Sequence, residues 1–395
     1  MSRRLLTLSL GDWESSIVER SALGRLQATS AIGYFDEVEH LFFRTTRPRV
    51  EEPVPGLRVR DISGTPHVRV GGPAKLAAFA RGAHEILRIA RDFRPHAVQV
   101  VDPFQSGLLG LRVRKELGIP LVVALVSHYD NSRQVSGRWP AQWMPESMAF
   151  RVHDRVLRSA DLILTHCDYY ARYAVERGAA RARIHVHPLW SESAFHEAEP
   201  DPGILARHRI DDPSPLLYVG RLHPVKYSDE LLAAYLRIRE RYPRKRLIVL
   251  GGAGPLRESF EAGLREAGAR DDVLIRQVNS AAEMKSWMAA AGVMMAPHAG
   301  YALLEAGLAG APVVAYDFEW HPEVITDGET GRLVPFRDWR AMAATTIELL
   351  DDPGEARRLG DALRRRVETE HSHARVQASI RGAFRRLLEG SGAVE

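Results

Sequence analysis

Residues 298–316 read His-Ala-Gly-Tyr-Ala-Leu-Leu-Glu-Ala-Gly-Leu-Ala-Gly-Ala-Pro-Val-Val-Ala-Tyr, and this stretch decides the fold. Its order is loop, short helix, turn and buried strand. Gly300 permits a tight backbone, residues 302–308 suit a helix, Gly310 ends it, and residues 312–315 form an apolar run of buried-strand type. A helix start presents free N–H groups and the positive end of the helix dipole. The backbone at Gly300, Tyr301, Ala302 and Leu303 is therefore a natural holder of a diphosphate. Glu305, one turn further in, is placed to accept hydrogen bonds from ribose hydroxyls.

Outward from this stretch, short apolar runs alternate with amphipathic segments, the pattern of parallel sheets covered by helices on both faces. Strands are expected at residues 5–9, 97–101, 121–126, 161–165 and 184–187, then at 216–220, 247–251, 273–277, 292–296 and 313–316. Helices between them include residues 74–92, 107–117, 229–241 and 283–291. Two alternating series predict an α/β chain of two doubly wound, Rossmann-like domains, and 395 residues suit two domains of about 200 each. The acidic, proline-containing segment 197–203 is the expected linker. Ligands of open parallel sheets bind beyond the carboxyl ends of the strands, and two such domains facing each other would leave a cleft for two substrates.

Three further segments agree with the first in order and spacing. Residues 216–226 read Leu-Leu-Tyr-Val-Gly-Arg-Leu-His-Pro-Val-Lys; residues 246–258 read Arg-Leu-Ile-Val-Leu-Gly-Gly-Ala-Gly-Pro-Leu-Arg-Glu; residues 321–335 read His-Pro-Glu-Val-Ile-Thr-Asp-Gly-Glu-Thr-Gly-Arg-Leu-Val-Pro. Together the four blocks resemble the retaining glycosyltransferases of family four (glycosyl transferases group 1), which have the two-domain GT-B fold. The resemblance covers roughly residues 90–390, is strongest over 214–340, and loosens before residue 90. It implies an acceptor-binding domain at 1–199, a donor-binding domain at 200–370, and a final helix from about 371 to 395 that crosses back to the N-terminal domain.

Arg221 and Lys226 follow the 216–220 run within one loop that begins at Gly220, so both cations can reach a donor diphosphate and stabilise the charge that grows as the nucleotide leaves. The family gives the matching Arg and Lys this role. It also implies backbone contacts from Val278 and Asn279 to the nucleobase, although a plain loop accounts for them equally well. His128, in Ser-His-Tyr-Asp after the 121–126 run, matches a histidine that contacts the donor sugar or phosphate; a structural histidine is the competing reading. Gly11 stands where the family has a glycine-rich loop near the donor, and Asp12 and Trp13 beside it are acceptor candidates. Asp102, in Val-Asp-Pro-Phe, is a further acceptor candidate or a local turn former.

One position departs from the family, which usually carries two glutamates eight positions apart. Glu305 matches the second, but the first falls on Pro297, with no carboxylate nearby in the sequence and His298 as the adjacent polar group. The departure leaves open how the donor sugar is held.

Composition excludes several alternatives. A single cysteine, Cys167, rules out an internal disulfide and a cysteine-based metal cluster. The histidines are scattered, and His185 and His187 alternate along an expected strand without added carboxylates, so no metal and no cofactor are expected. Gly251-Gly-Ala-Gly lacks the third glycine of a dinucleotide fingerprint, since Arg257 stands in its place. A glycosidase would need a second carboxylate across the bond from Glu305, and none is evident.

No apolar run approaches the roughly 20 residues that span a bilayer and no signal-peptide pattern opens the chain, so a cytoplasmic location is expected. Residues 1–200 hold 27 basic and 22 acidic side chains, against 27 and 28 in the remainder, so the net charge of +4 sits in the N-terminal half. Groups such as Arg112, Arg114 and Lys115 suit an anionic acceptor or peripheral contact with the inner face of a membrane, against ordinary solvated faces as the plainer account. Aromatic interleaving typical of nucleic-acid binders is absent.

The expected function is transfer of a sugar, with retention, from a nucleotide diphosphate sugar (UDP- or GDP-linked) to a hydroxyl of a saccharide, lipid-linked or small-molecule acceptor. With no positioned carboxylate nucleophile, retention suggests front-face substitution. The alternative is a catalytically impaired nucleotide-sugar binding or assembly protein of the same fold, motivated by Pro297.

Overall fold

The computed structural model describes residues 2–11, 31–45, 48–63, 73–137, 144–190, 193–278 and 280–390. Its chain divides into two compact units, Met1–Pro188 with Ala374–Glu395, and Leu189–His373.

The first unit is built on eight strands: β1 (Arg4–Leu10), β2 (Glu37–Thr45), β3 (Arg49–Val54), β4 (Leu57–Ser63), β5 (Ala97–Val100), β6 (Leu121–Leu125), β7 (Leu162–Thr165) and β8 (Ile184–Val186). They lie in the order β3-β4-β2-β1-β5-β6-β7-β8, parallel except for the antiparallel edge pair β3/β4. β5, β6 and β7 are buried throughout, as continuous apolar runs covered on both faces must be. The helix Gln105–Leu117 sits close on this sheet at Gly110, where a Cβ would meet Val100 Cγ1 at 2.5 Å and Leu121 Cδ1 at 2.8 Å. The helix His373–Glu389 also belongs to this unit. Its Phe384 packs edge-on to Phe35 at 5.0 Å, and Arg381 donates to the Ile32 carbonyl at 2.7 Å.

Three strands of this unit, β2, β3 and β4, were absent from the sequence expectation, as was a fourth at Arg332–Val334 in the second unit. The first three carry charged residues within short apolar alternations, and their pairing neutralises the charge: Glu39 of β2 is buried against Arg58 and Arg60 of β4 at 3.4 and 2.8 Å.

The second unit holds β9 (Leu216–Gly220), β10 (Leu247–Gly251), β11 (Val273–Arg276), β12 (Val293–Ala296), β13 (Val313–Tyr316) and β14 (Arg332–Val334), all parallel, in the order β11-β10-β9-β12-β13-β14. The helix Ala302–Ala309 is buried along most of its length and ends at Gly310, whose φ is 72°. It approaches the helix Pro353–Glu370 closely because glycines face it: a Cβ on Gly307 would lie 2.8 Å from Val367 Cγ2, and one on Gly360 would run into the Gly310 carbonyl.

The segment 197–203 is not the junction between the units, which falls between Pro188 and Leu189. It is fastened inside the second unit: Lys285 Nζ donates to the carbonyls of His196 and Ala198 at 3.2 and 2.7 Å, and the Asp201 amide donates to Ser286 Oγ at 2.8 Å. Among the described residues no helix is long and apolar enough to cross a membrane.

Candidate active site

In the second sheet, the chain runs outward from β9 through β10 to β11, then returns to β12 on the other side of β9. The crevice between β9 and β12 at their carboxyl ends is thus the switch point, where such sheets bind ligands. Arg221 and Lys226 lie on the loop after β9, and residues 297–301 on the loop after β12.

The β9 loop is held by backbone contacts that only glycines allow. Gly252 donates to the Gly220 carbonyl at 2.9 Å, a Cβ on Gly251 would stand 2.8 Å from that same carbonyl, and Leu222 exchanges hydrogen bonds with Ala253 and Leu256 at 3.0 Å each. The Gly251-Gly-Ala-Gly stretch therefore serves close packing of two loops. On this support Arg221 is exposed and Lys226 half-buried, and among the described residues neither forms an ion pair with a carboxylate. Loss of hydration, then the charge of Arg221, depress the Lys226 pKa to about 8, with Glu319 acting the opposite way. Two cations that form no ion pair with a carboxylate among the described residues suit this loop to an anion.

His298 crosses the switch point. Its Nδ1 is 2.6 Å from the Val225 carbonyl and its Nε2 is 3.3 Å from Glu319 Oε2. A carbonyl can only accept, so Nδ1 carries hydrogen and donates it to Val225. Behind it, the buried His321 receives the Ala299 amide at Nε2 (3.2 Å) and holds the Tyr316 carbonyl through Nδ1 (2.9 Å). This fixes a neutral ring, and burial followed by the charge of His298 lower its pKa to about 4.

The helix Ala302–Ala309 begins at Tyr301 without a side-chain cap; the Leu303 amide closes onto the Gly300 carbonyl at 3.0 Å, and the positive end of the helix dipole favours an anion there. Gly300 does not serve a strained turn: its φ is not in the left-handed region, and a Cβ there would meet nothing within 4 Å. What Gly300 provides is open space at the start of this helix. Ala302 is half-buried and Leu303 buried, while Glu305 lies in the first turn, half-buried.

The sequence reading missed Glu319. It follows β13 by three residues and brings a carboxylate to His298 although Pro297 supplies none. Its φ of 52° is left-handed, as are those of Tyr227 (51°) and Arg337 (66°), and these three non-glycine residues follow β9, β13 and β14 on the same rim. Around them Phe318 and Phe336 stack at 4.0 Å, Tyr227 meets both edge-on, and Glu230 receives Tyr316 Oη and Arg337 Nε at 2.7 Å each. His321 was missed as well. Neither carries a local signal, because their partners lie on other loops.

The remaining candidates lie elsewhere. Val278 follows β11 and is half-buried; Asn279, Asp12 and Trp13 lie outside the described residues. In the first unit the switch point falls between β1 and β5, and Gly11 and Asp102 stand at its two sides. Asp102 is engaged locally: it receives the Phe104 amide at 2.8 Å and the Ser106 hydroxyl, and burial, opposed by these bonds, raises its pKa. That geometry is a helix start rather than a ligand contact. His128, after β6, caps the helix Tyr129–Ser136 by receiving the Asn131 amide at Nδ1 (3.2 Å), and its ring lies 4.0 Å from that of Tyr173. Among the described residues no group of three or more His, Cys, Asp or Glu is placed to hold a metal ion.

Comparison with known proteins identifies the family and the fold. Residues 204–366 match the family described as glycosyl transferases group 1, and residues 25–190 match a glycosyl transferase 4-like domain. A D-inositol 3-phosphate glycosyltransferase of Streptomyces avermitilis is 30% identical over 365 residues, 84% of this chain and 75% of the relative. This chain belongs to the glycosyl transferases of group 1. A second such transferase, from Thermobispora bispora, is 31% identical, covering 80% of this chain and 78% of its own. Among solved structures, this group 1 chain is similar to sucrose-phosphate synthase from Thermosynechococcus elongatus (TM-score 0.82, 20% identity, 98% and 100% of the two chains). It is also similar to Anabaena HepE in complex with UDP and glucose (TM-score 0.75, 14% identity, 97% and 99%). At these identities the likeness establishes the fold: two Rossmann-like parallel-sheet domains of the GT-B class.

Proposed function

We propose that this group 1 chain is a retaining transferase that moves a sugar from a nucleotide diphosphate sugar, UDP- or GDP-linked, to an acceptor hydroxyl. The observation that carries the reading is the pair Arg221 and Lys226, two cations without a carboxylate partner beside an uncapped helix start. In this reading the diphosphate lies on that loop and on the helix start at residues 300–303, Glu305 receives the ribose hydroxyls, and Val278 and Asn279 border the base. Asp12 and Trp13 would meet the acceptor.

The bond between the anomeric carbon and the diphosphate oxygen breaks while the acceptor oxygen bonds to the same face. The acceptor proton passes to the departing phosphate oxygen. Arg221, Lys226 and the helix amides stabilise the charge that accumulates there, so the reading requires no metal. The names of the curated relatives support a phosphorylated polyol among the acceptors to be tried, beside saccharides and lipid-linked sugars. A cytoplasmic protein in peripheral contact with the inner membrane face would suit the lipid-linked class.

The test is incubation with UDP- and GDP-sugars and those acceptors, followed by nucleotide release and NMR of the product anomer. Retained configuration supports the reading and an inverted product contradicts retention. Nucleotide binding without any transfer or donor hydrolysis would favour the impaired protein that Pro297 suggested.

A further inference from the structure

The Glu319 side chain is only 5% exposed, and its backbone has a φ of 52° that favours glycine. An L-residue is strained there. Such strain persists where the surrounding structure demands it, and two more left-handed non-glycine residues, Tyr227 and Arg337, stand on the same rim. The carboxylate is directed to His298 Nε2, on the loop that also begins the helix carrying Glu305, and its charge reaches Lys226.

A carboxylate beside an anion-binding loop repels the diphosphate itself. What it accepts is a neutral donor such as a hydroxyl. The cations Arg221 and Lys226 and the carboxylate Glu319 thus give the crevice two ends of opposite preference: one for phosphate oxygens, one for hydroxyl groups attached to them.

We propose that Glu319 holds the hydroxyls of the transferred sugar, supplying from the loop after β13 the carboxylate that Pro297 lacks on the loop after β12. The inference rests on the donor reading above and deepens it. His298, bonded to both Val225 and Glu319, orients the carboxylate and ties it to the Lys226 loop. Glu319 is then a specificity-determining residue: it discriminates a nucleotide sugar from the bare nucleotide.

The experiment compares calorimetric binding of UDP, UDP-glucose, GDP and GDP-mannose to the full chain and to Glu319→Gln and Glu319→Gly. Glycine suits the left-handed backbone, so the second variant keeps the fold, and its melting temperature is measured alongside. The expected result is a loss of about tenfold or more in affinity for the nucleotide sugar that wild type binds, with bare nucleotide affinity within about threefold. Equal effects on sugar and nucleotide, or no effect on either, would overturn the assignment of Glu319 while leaving the donor site standing. Wild-type protein that binds none of the four overturns the donor reading and this inference with it.

Discussion

His298 Nδ1 lies 2.6 Å from the carbonyl oxygen of Val225, so one side chain fastens the loop after β12 to the loop that carries Lys226. Both cations proposed to meet the diphosphate depend on that second loop, whose own short helical turn, Pro224–Lys226, ends at the left-handed Tyr227. Replacing His298 by Ala is expected to free the loop and to lower kcat/KM for the donor by about 10- to 100-fold, with a small change in melting temperature. Steady-state kinetics with the nucleotide sugar varied checks this; an unchanged donor KM and kcat would contradict the role of the tie.

The depressed pKa of Lys226, about 8 in the free protein, makes anion binding pH-dependent. A bound diphosphate favours the charged amine and raises that pKa, so binding takes up a proton above pH 8. Affinity is therefore expected to be flat below pH 8 with respect to this group and to fall as pH rises through 8. Calorimetric titration of UDP or GDP from pH 6.5 to 9.5 reads the break, which Lys226→Met removes. A break that persists in the variant would assign it to another group.

Acid should weaken the fold before it protonates most carboxylates. His153, His187 and His321 are buried with pKa values lowered to about 4, and His40 to about 3, by desolvation first. Each lies below the ordinary 6.5, so the unfolded chain binds the proton more tightly. The stability these groups contribute is complete above pH 6.5 and is lost as pH falls toward 4, on the order of 3 kcal/mol for a fully buried ring. Thermal unfolding from pH 7.5 to 4.5 should show a steep fall in Tm over that range; a Tm flat between pH 6.5 and 5 would show that these rings are protonated without penalty.

Gly360 supports the seat of Glu305 from behind, since a Cβ there runs into the Gly310 carbonyl at the end of the helix Ala302–Ala309. Gly360→Ala is expected to cost about 1–3 kcal/mol in chemical denaturation and to raise the donor KM by displacing that helix. Gly268, where a Cβ would meet nothing within 4 Å, has a left-handed φ of 62°, so Gly354 is the better control: its φ is ordinary and the nearest atom is Asp352 Oδ1 at 3.2 Å. If Gly360→Ala were as mild as Gly354→Ala, the helix would have room to shift.

The parts of this architecture that could be read in the sequence are those whose signal is local. Strands such as β10, β12 and β13 are apolar runs buried on both faces, and Arg221, Lys226 and Glu305 announce themselves by following such runs in order. β2 and β4 did not, because the burial of Glu39 is intelligible only when Arg58 and Arg60, on another strand, are seen beside it. In the same way Glu319 is 21 positions from His298, and a left-handed backbone at a glutamate has no residue-type signal. His128 and Asp102 were found as polar residues at strand ends, but it took coordinates to show that each engages a nearby helix start.

The central claim is that the loop after β9 and the helix Ala302–Ala309 bind a nucleotide diphosphate. Thermal shift of the full chain against UDP, GDP, ADP and dTDP tests it most directly, because a ligand that binds only the folded state must raise the melting temperature. The account predicts stabilisation by one nucleotide family, with most of the shift lost in Glu305→Ala and in Lys226→Met. Stabilisation by none of them, or a shift that both variants retain in full, would contradict it.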